Sequence, residues 1–133
     1  MPAFKTWASM LAAQKDVKLV LVDLHGYRHS YGAISAALAG KQVLPRARVA
    51  LGGISASLFA AETLRSFPEV DFVIRGDAEE PLLSLTRHVC SSASVPLSSN
   101  PNLTYRVQTR RPFATHCAWQ GAFGTATRPI YSR

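Results

Sequence analysis

Several features that mark large classes of protein are missing from this chain. No run of eighteen or more apolar residues occurs, so we predict no membrane-spanning helix and no membrane partner. The segment Met1–Lys15 has an apolar helical pattern but no signal-peptide cleavage pattern. The two cysteines, Cys90 and Cys117, are too few and too far apart for a zinc site or a disulfide framework. We therefore expect a soluble, cytoplasmic protein with free thiols.

Acidic residues are absent from Pro101 onward, and this absence accounts for most of the net charge of +7. Residues 1–100 carry ten Lys and Arg against eight Asp and Glu, whereas residues 101–133 carry five arginines and no acid. A nucleic-acid-binding domain usually has a basic helix or stripe interleaved with aromatic residues on a folded face, and none is visible. We expect no nucleic-acid partner.

What is present is an alternation of short apolar runs with helix-like segments, in a chain of 133 residues that suffices for one compact domain. The runs Val17–Asp23, Arg48–Gly52 and Val70–Arg75 are predicted as strands, the first of them central in the sheet because it is apolar throughout. Helices are predicted at Thr6–Gln14, Gly32–Lys41, Ser57–Phe67 and Pro81–Val89. The alternation predicts an α/β fold, a Rossmann/flavodoxin-like parallel sheet with flanking helices and about three to four strands.

Details of the helices follow from their capping and turn residues. Gly40 is expected to stop the second helix, Ser57 to cap the third and Pro68 to end it. Pro81 suits the first turn of the last helix, whose Leu82, Leu83 and Leu85 should point inward.

The two ends of the chain differ from its middle. The helix Thr6–Gln14 has no strand before it, so the sheet is expected to be incomplete at its start. The segment Asn102–Val107 is predicted as an edge strand, and residues 108–133 as a poorly ordered basic tail behind an α/β domain of residues 1–107.

In such a sheet, ligands bind where the loops leave the carboxyl ends of the strands. The first of these loops, Leu24–Tyr31, contains His25 and His29 beside Asp23, but no helix holds the two histidines on one face and no third ligand is evident. Solvated loop histidines are the preferred interpretation. A small metal-dependent hydrolase that uses these histidines with Glu79 or Glu80 is the alternative.

The second and third loops contain glycine. Gly52 and Gly53 follow a strand and precede a helix, where a backbone can approach a ligand closely, although the third glycine of GxGxxG is missing. A tight turn that needs positive φ explains the pair equally well. Gly76 opens an acidic loop in which Glu79 and Glu80 favour the start of a helix.

Five segments together resemble one known family. They are Val49–Phe59 with Glu62–Leu64, Phe67–Asp77, Glu79–Leu83 and Asn102–Arg106, and the loop end His29–Tyr31 matches a subgroup. In this order the segments up to Leu83 are similar to the second half of the cobalamin-binding domain that precedes the radical domain in cobalamin-dependent radical S-adenosylmethionine proteins, and Asn102–Arg106 is similar to the short segment that links the two domains. The resemblance covers roughly Val17 to Arg106.

The resemblance implies a cobalamin-binding module without a catalytic residue, whose natural partners are cobalamin and a radical S-adenosylmethionine domain. Carried over by position, the cofactor contacts are Ser30, Tyr31, Gly52, Gly53, Ser57, Gly76 and Glu79.

Two departures from related motifs limit what can be carried over. Asp23-Leu24-His25 begins the DxHxxG motif of other cobalamin domains, but Arg28 stands where its glycine belongs, so His25 is not assigned as a cobalt ligand. The CxxxCxxC motif is missing, so neither an iron–sulfur cluster nor radical chemistry is expected of this chain.

Since early strands of the family's domain have no counterpart here, we expect weak cobalamin affinity. A degenerate fragment without activity is a third interpretation. If the chain is a fragment, the coding DNA upstream should encode further strands and the DNA downstream the CxxxCxxC motif.

Overall fold

The structure, a computed structural model, describes residues 2–14, 16–91, 96–97, 100–107, 114–119, 126–127 and 130–131. Side chains are described for residues 6–14, 16–91, 96–97 and 100–107. The helices are α1 (Pro2–Ala12), α2 (Ser30–Val43), α3 (Ile54–Leu58), α4 (Ala60–Ser66) and α5 (Glu79–Cys90), with a 3-10 turn at Tyr27–His29. The strands are β1 (Leu19–Asp23), β2 (Arg48–Gly52), β3 (Phe72–Ile74), β4 (Leu103–Val107), β5 (Ala114–Trp119), β6 (Ala126–Thr127) and β7 (Ile130–Tyr131).

The sheet begins with three parallel strands in chain order. Leu19 of β1 lies opposite Arg48 of β2, and Ala50 of β2 lies opposite Phe72 of β3. β4 then pairs antiparallel with β3, so that Phe72 lies opposite Tyr105. These four strands form an open, mostly parallel sheet flanked by helices, which confirms the predicted α/β, Rossmann/flavodoxin-like class, and β5, β6 and β7 extend the sheet beyond β4.

Helices cover both faces of this sheet. On one face, α2, α3 and α4 pack on alternate residues of the strands, with Val49, Leu51 and Val73 fully buried. On the other face, α5 buries Leu85 against Ala50 and Ile74. Alternation along β2 thus places Ala50 in one core and its neighbours in the other, which explains why this strand is apolar throughout.

The first strand lies at the end of the sheet, so its predicted central position is wrong. Among the described strands β1 pairs with β2 alone, and Leu21 on its α5 side is 48% exposed. An apolar run indicates burial but does not identify neighbours, because a helix can cover an end strand as well as a central one. Here α2 covers Val20 on one face.

Two of the predicted helix ends are also wrong. α2 runs through Gly40 to Val43, and Gly40 is buried because Val20 and Trp7 pack against it. The third helix begins at Ile54 rather than after Ser57, since the backbone amides of Ser55 and Ala56 donate to the carbonyl of Leu24. A carbonyl from another loop satisfies these amides, and no side-chain cap is needed.

Other local predictions are confirmed in part. The helix of residues 57–67 is divided at Phe59 into α3 and α4, but α4 does end just before Pro68. Pro81 lies in the first turn of α5, and Leu85 is fully buried, whereas Leu83 is 45% exposed. The predicted inward orientation of Leu83 is therefore wrong, because the buried face of α5 is too narrow to include all three leucines.

The segment after residue 102 forms a strand, as expected, but not an edge strand. β4 pairs with β3 on one side and with β5 on the other. The sequence pattern had indicated no strand after residue 107, whereas the backbone forms β5, β6 and β7 there. The predicted domain boundary and the predicted disorder of the tail stay predictions, and most of the tail lies outside the described residues.

Charged side chains hold the sheet together at the amino ends of its parallel strands. The Asp71 carboxylate accepts from the Lys41 ammonium at 2.9 Å, the Arg48 guanidinium at 3.1 Å and the Val49 amide at 2.9 Å. It thereby joins the end of α2 to the starts of β2 and β3.

The Arg106 side chain also connects elements at the amino ends of the parallel strands. Its guanidinium donates to the carbonyls of Leu64, Phe67, Pro68 and Val70, at 2.5 to 3.1 Å. Burial lowers the pKa of Arg106, while the nearby carboxylates of Asp71 and Glu69 act in the opposite direction. The side chain therefore binds the Leu64 carbonyl in the last turn of α4 and three carbonyls of the connection from α4 to β3.

Candidate functional site

The loops that follow the three parallel strands meet at the carboxyl edge of the sheet. The amide of Leu24, after β1, donates to the carbonyl of Gly52 at 2.7 Å, and the amide of Ser55 donates back to the carbonyl of Leu24 at 3.1 Å. The amide of Gly76, after β3, donates to the hydroxyl of Ser57 at 3.0 Å. The chain thus brings together loops that lie up to fifty residues apart, as a parallel sheet requires.

Gly53 is a glycine for steric reasons. Its backbone, with φ 100° and ψ 174°, lies in a region that residues with a side chain essentially do not adopt. A Cβ at this position would run into the Asp23 carboxylate and come within 2.8 Å of the Leu24 carbonyl group. Gly53 therefore allows the first two loops to pack closely, and the predicted tight turn accounts for this residue.

Gly52 and Gly76 have a different environment. A Cβ added at either position would meet no atom within 4 Å, apart from its own chain neighbours. At Gly76 φ is +67°, which favours glycine, whereas Gly52 ends β2 with a backbone that any residue can adopt. The two glycines leave an open surface at the edge, where a ligand can approach the backbone closely.

Ser57 joins the second and third loops. Its hydroxyl donates to the carbonyl of Gly53 at 2.8 Å and accepts from the amide of Gly76. The side chain thus positions the two glycine loops relative to each other. Its direct contact with a cofactor, which the resemblance implies, stays a prediction, as does that of Gly53.

The remaining predicted contacts lie around this edge. Ser30 donates from its hydroxyl to the carbonyl of Tyr27 at 2.7 Å, in the first turn of α2. Tyr31, next to it, is 79% exposed, and Glu79 is exposed at the start of α5, three residues after Gly76. Ser30 and Tyr31 belong to a pocket beside the edge, described next.

The pocket lies between α2 and the α3–α4 segment and has a volume of about 630 Å³. Aliphatic and aromatic side chains form most of its wall, with hydroxyl groups among them. The described lining residues, all uncharged, are Leu24, Tyr27, Ser30, Tyr31, Ile34, Ser35, Leu38, Ser55, Phe59, Thr63 and Phe67. Such a lining suits a neutral, largely apolar group.

Sequence reasoning missed most of this pocket. It identified Ser30 and Tyr31 but not Ile34, Leu38 or Phe59. The available signal was the four-residue spacing of Tyr27, Tyr31 and Ser35, which puts polar-tipped side chains on one side of the 3-10 turn and of α2.

The loop histidines do not form a metal site with other described residues. His25 and His29 are both exposed, and the structure shows His25 through its carbonyl, which accepts from the Ser55 hydroxyl at 3.4 Å. No group of three or more His, Cys, Asp or Glu close enough to hold a metal occurs in the described part of the chain. Cys90 is an exposed free thiol, and the side chain of Cys117 lies outside the described residues.

Comparisons with known proteins give no family assignment. No protein-family model matches the chain, and no curated protein matches it significantly. Within the described residues, no helix has both the length and the apolar character needed to cross a membrane.

Proposed function

We propose that this chain is a cobalamin-binding module that holds the cofactor against the carboxyl edge of its sheet and has no catalytic centre of its own. The open backbone surface at Gly52 and Gly76 is the observation that carries the proposal. These glycines are also among the residues on which the resemblance to cobalamin-binding domains rests. Two independent lines, a family pattern in the sequence and free space in the structure, thus concern the same two positions.

The residues at this edge fit a broad, flat cofactor. A corrin ring needs an approach without protruding side chains, and Gly52 and Gly76 provide it. Ser30 and Tyr31 would hold the cofactor from the side, next to the uncharged pocket. Ser57 would keep the two glycine loops at a fixed spacing through its two hydrogen bonds.

Cobalamin, when bound, supplies the reactivity of its cobalt centre, and the protein supplies orientation and shielding. In the family that the sequence resembles, a separate radical S-adenosylmethionine domain carries out catalysis. We propose that this chain would present the cofactor to such a domain. The residues of this chain would bind the cofactor and orient it.

Titration with hydroxocobalamin, followed by its visible spectrum, tests the proposal. We expect a saturable change with a dissociation constant weaker than about 1 µM. The variant Gly52→Val puts a side chain into the open space, where its Cβ meets no other atom within 4 Å, so we expect it to weaken binding at least tenfold, about 1.4 kcal/mol.

Gly32→Ala is the matched control. Gly32 also has no atom within 4 Å of an added Cβ, but it lies on the exposed side of α2. We expect unchanged cobalamin binding in this variant. No spectral change with the wild-type protein up to about 1 mM cobalamin, or equal affinity in the Gly52→Val variant, would contradict the proposal.

A further inference from the structure

A second pocket lies at the opposite edge of the sheet, at the amino ends of β1 and β2. Three segments form it: residues 16–18 before β1, residues 43–48 between α2 and β2, and His88 with Val89 in the last turn of α5. Its volume is about 580 Å³. None of its residues belongs to the cobalamin site proposed above, and the inference below does not depend on that proposal.

Cationic side chains from separate segments line this pocket. Lys18 comes from the segment before β1, whereas Arg46 and Arg48 come from the α2–β2 connection and the start of β2. Half-buried His88 adds an imidazole from α5, and Asp16 is the single acid among the described lining residues. A concave surface with an excess of one charge concentrates its field and attracts counter-ions.

Two of these cations are not engaged elsewhere. Neither the Lys18 ammonium nor the Arg46 guanidinium forms a hydrogen bond or ion pair with another described residue, and both side chains are exposed. Arg48 uses one nitrogen for Asp71 at 3.1 Å, and its side chain is still 57% exposed. Its remaining N–H donors are therefore available to a ligand.

The wall between the cations is apolar. Val17, Val43, Leu44 and Val89 line the pocket alongside the charged groups. A purely ionic ligand would leave this surface in contact with water, whereas a ligand with an anionic head and an apolar body would use both parts.

We propose that this pocket binds a small phosphate ester, with the phosphate at Lys18, Arg46 and Arg48 and its apolar body against the valine and leucine side chains. A phosphate carries up to two negative charges and several acceptor oxygens, which matches three cations that line one pocket from two segments of the chain. Guanidinium groups in particular bind phosphate oxygens in pairs. The concave, partly apolar shape favours a small molecule over an extended nucleic-acid backbone.

Titration of the ¹⁵N-labelled protein with phenyl phosphate tests this inference, with amide chemical shifts as the readout. We expect saturable shifts at residues 16–18, 43–48 and 88–89, and weaker binding of inorganic phosphate, which lacks the apolar body. Arg46→Gln and Lys18→Gln should each weaken phenyl phosphate binding about threefold to tenfold.

Arg65→Gln is the matched control, because Arg65 is an exposed cation on α4 that does not line the pocket and its loss changes the net charge equally. This variant should bind within about twofold of wild type. Equal weakening by Arg65→Gln, equally strong binding of uncharged phenol, or no localised shifts up to about 10 mM phenyl phosphate would overturn the inference. Since cobalamin is left out of the titration, the result does not depend on the cobalamin proposal.

Discussion

The two edges of the sheet are stabilised by different means. At the amino edge, Asp71 and Arg106 connect helices and strands through charged side chains. At the carboxyl edge, backbone amides, the Ser57 hydroxyl and the close approach of Gly53 hold the loops together. The loops of the carboxyl edge are thus held together while the surface at Gly52 and Gly76 stays open.

This difference has a functional consequence. A ligand that approaches the carboxyl edge finds backbone and open space at Gly52 and Gly76. A ligand at the amino edge finds long cationic side chains, some already engaged with Asp71. We therefore propose a large flat cofactor as the ligand of the carboxyl edge and a small phosphate ester as the ligand of the amino edge.

The largest effect is expected from Gly53→Ala at the carboxyl edge. The new Cβ would force both a backbone conformation that alanine rarely adopts and a collision with Leu24, so the free energy of unfolding should fall by about 3 to 4 kcal/mol. Urea unfolding measures this. A loss below about 1 kcal/mol would show that the two loops are not in close contact.

At the amino edge, Arg106→Gln should lower the free energy of unfolding by about 3 kcal/mol, because up to four carbonyls lose a charged donor. Exposed Arg65→Gln, with the same change of charge, should stay within about 0.5 kcal/mol of wild type. If urea unfolding gives equal effects for both variants, the guanidinium of Arg106 does not stabilise the end of α4.

A smaller loss, about 1 to 2 kcal/mol, is expected from Asp71→Asn. The amide oxygen can still accept from the Val49 amide, but the ion pairs with Lys41 and Arg48 are lost. Asp77→Asn, at an exposed position, is the control for thermal or urea unfolding. An Asp71→Asn variant as stable as the wild type would mean that the ion pairs contribute nothing at this edge.

The smallest effect should come from Gly52→Ala, the neighbour of the most sensitive position. Since a Cβ there meets no atom within 4 Å, stability should change by no more than about 0.5 kcal/mol. Comparing the stabilities of the Gly53→Ala and Gly52→Ala variants distinguishes a position that packing requires to be glycine from one that faces open space. A large loss of stability in the Gly52→Ala variant would remove that distinction.

Much of the fold was predictable because it depends on local patterns. β2 was predicted with its observed bounds, since an arginine before the short apolar run and two glycines after it mark where the strand begins and ends. The helix start at Ile54 was not predictable, because its amides are satisfied by Leu24, thirty residues earlier in the chain. The end position of β1 likewise depends on which strands pair with it, and composition carries no such information.

The candidate site was predictable to a similar degree. The resemblance and the strand-end rule both indicated Gly52, Gly53 and Gly76, but they could not separate Gly53, which is packed, from Gly52, which is open. The roles of Asp71 and Arg106 were missed because their partners lie far away in sequence. Polar side chains next to short strands give no signal of such long-range bonds.

The most direct test of the central claim is to map the amide shifts of ¹⁵N-labelled protein on titration with hydroxocobalamin. We predict saturable shifts centred on Tyr31, Gly52 and Gly76 at the carboxyl edge, with the amides of Arg48 and Asp71 at the amino edge unaffected. Shifts centred on the amino edge, or no localised shifts at cobalamin concentrations up to about 1 mM, would contradict the account.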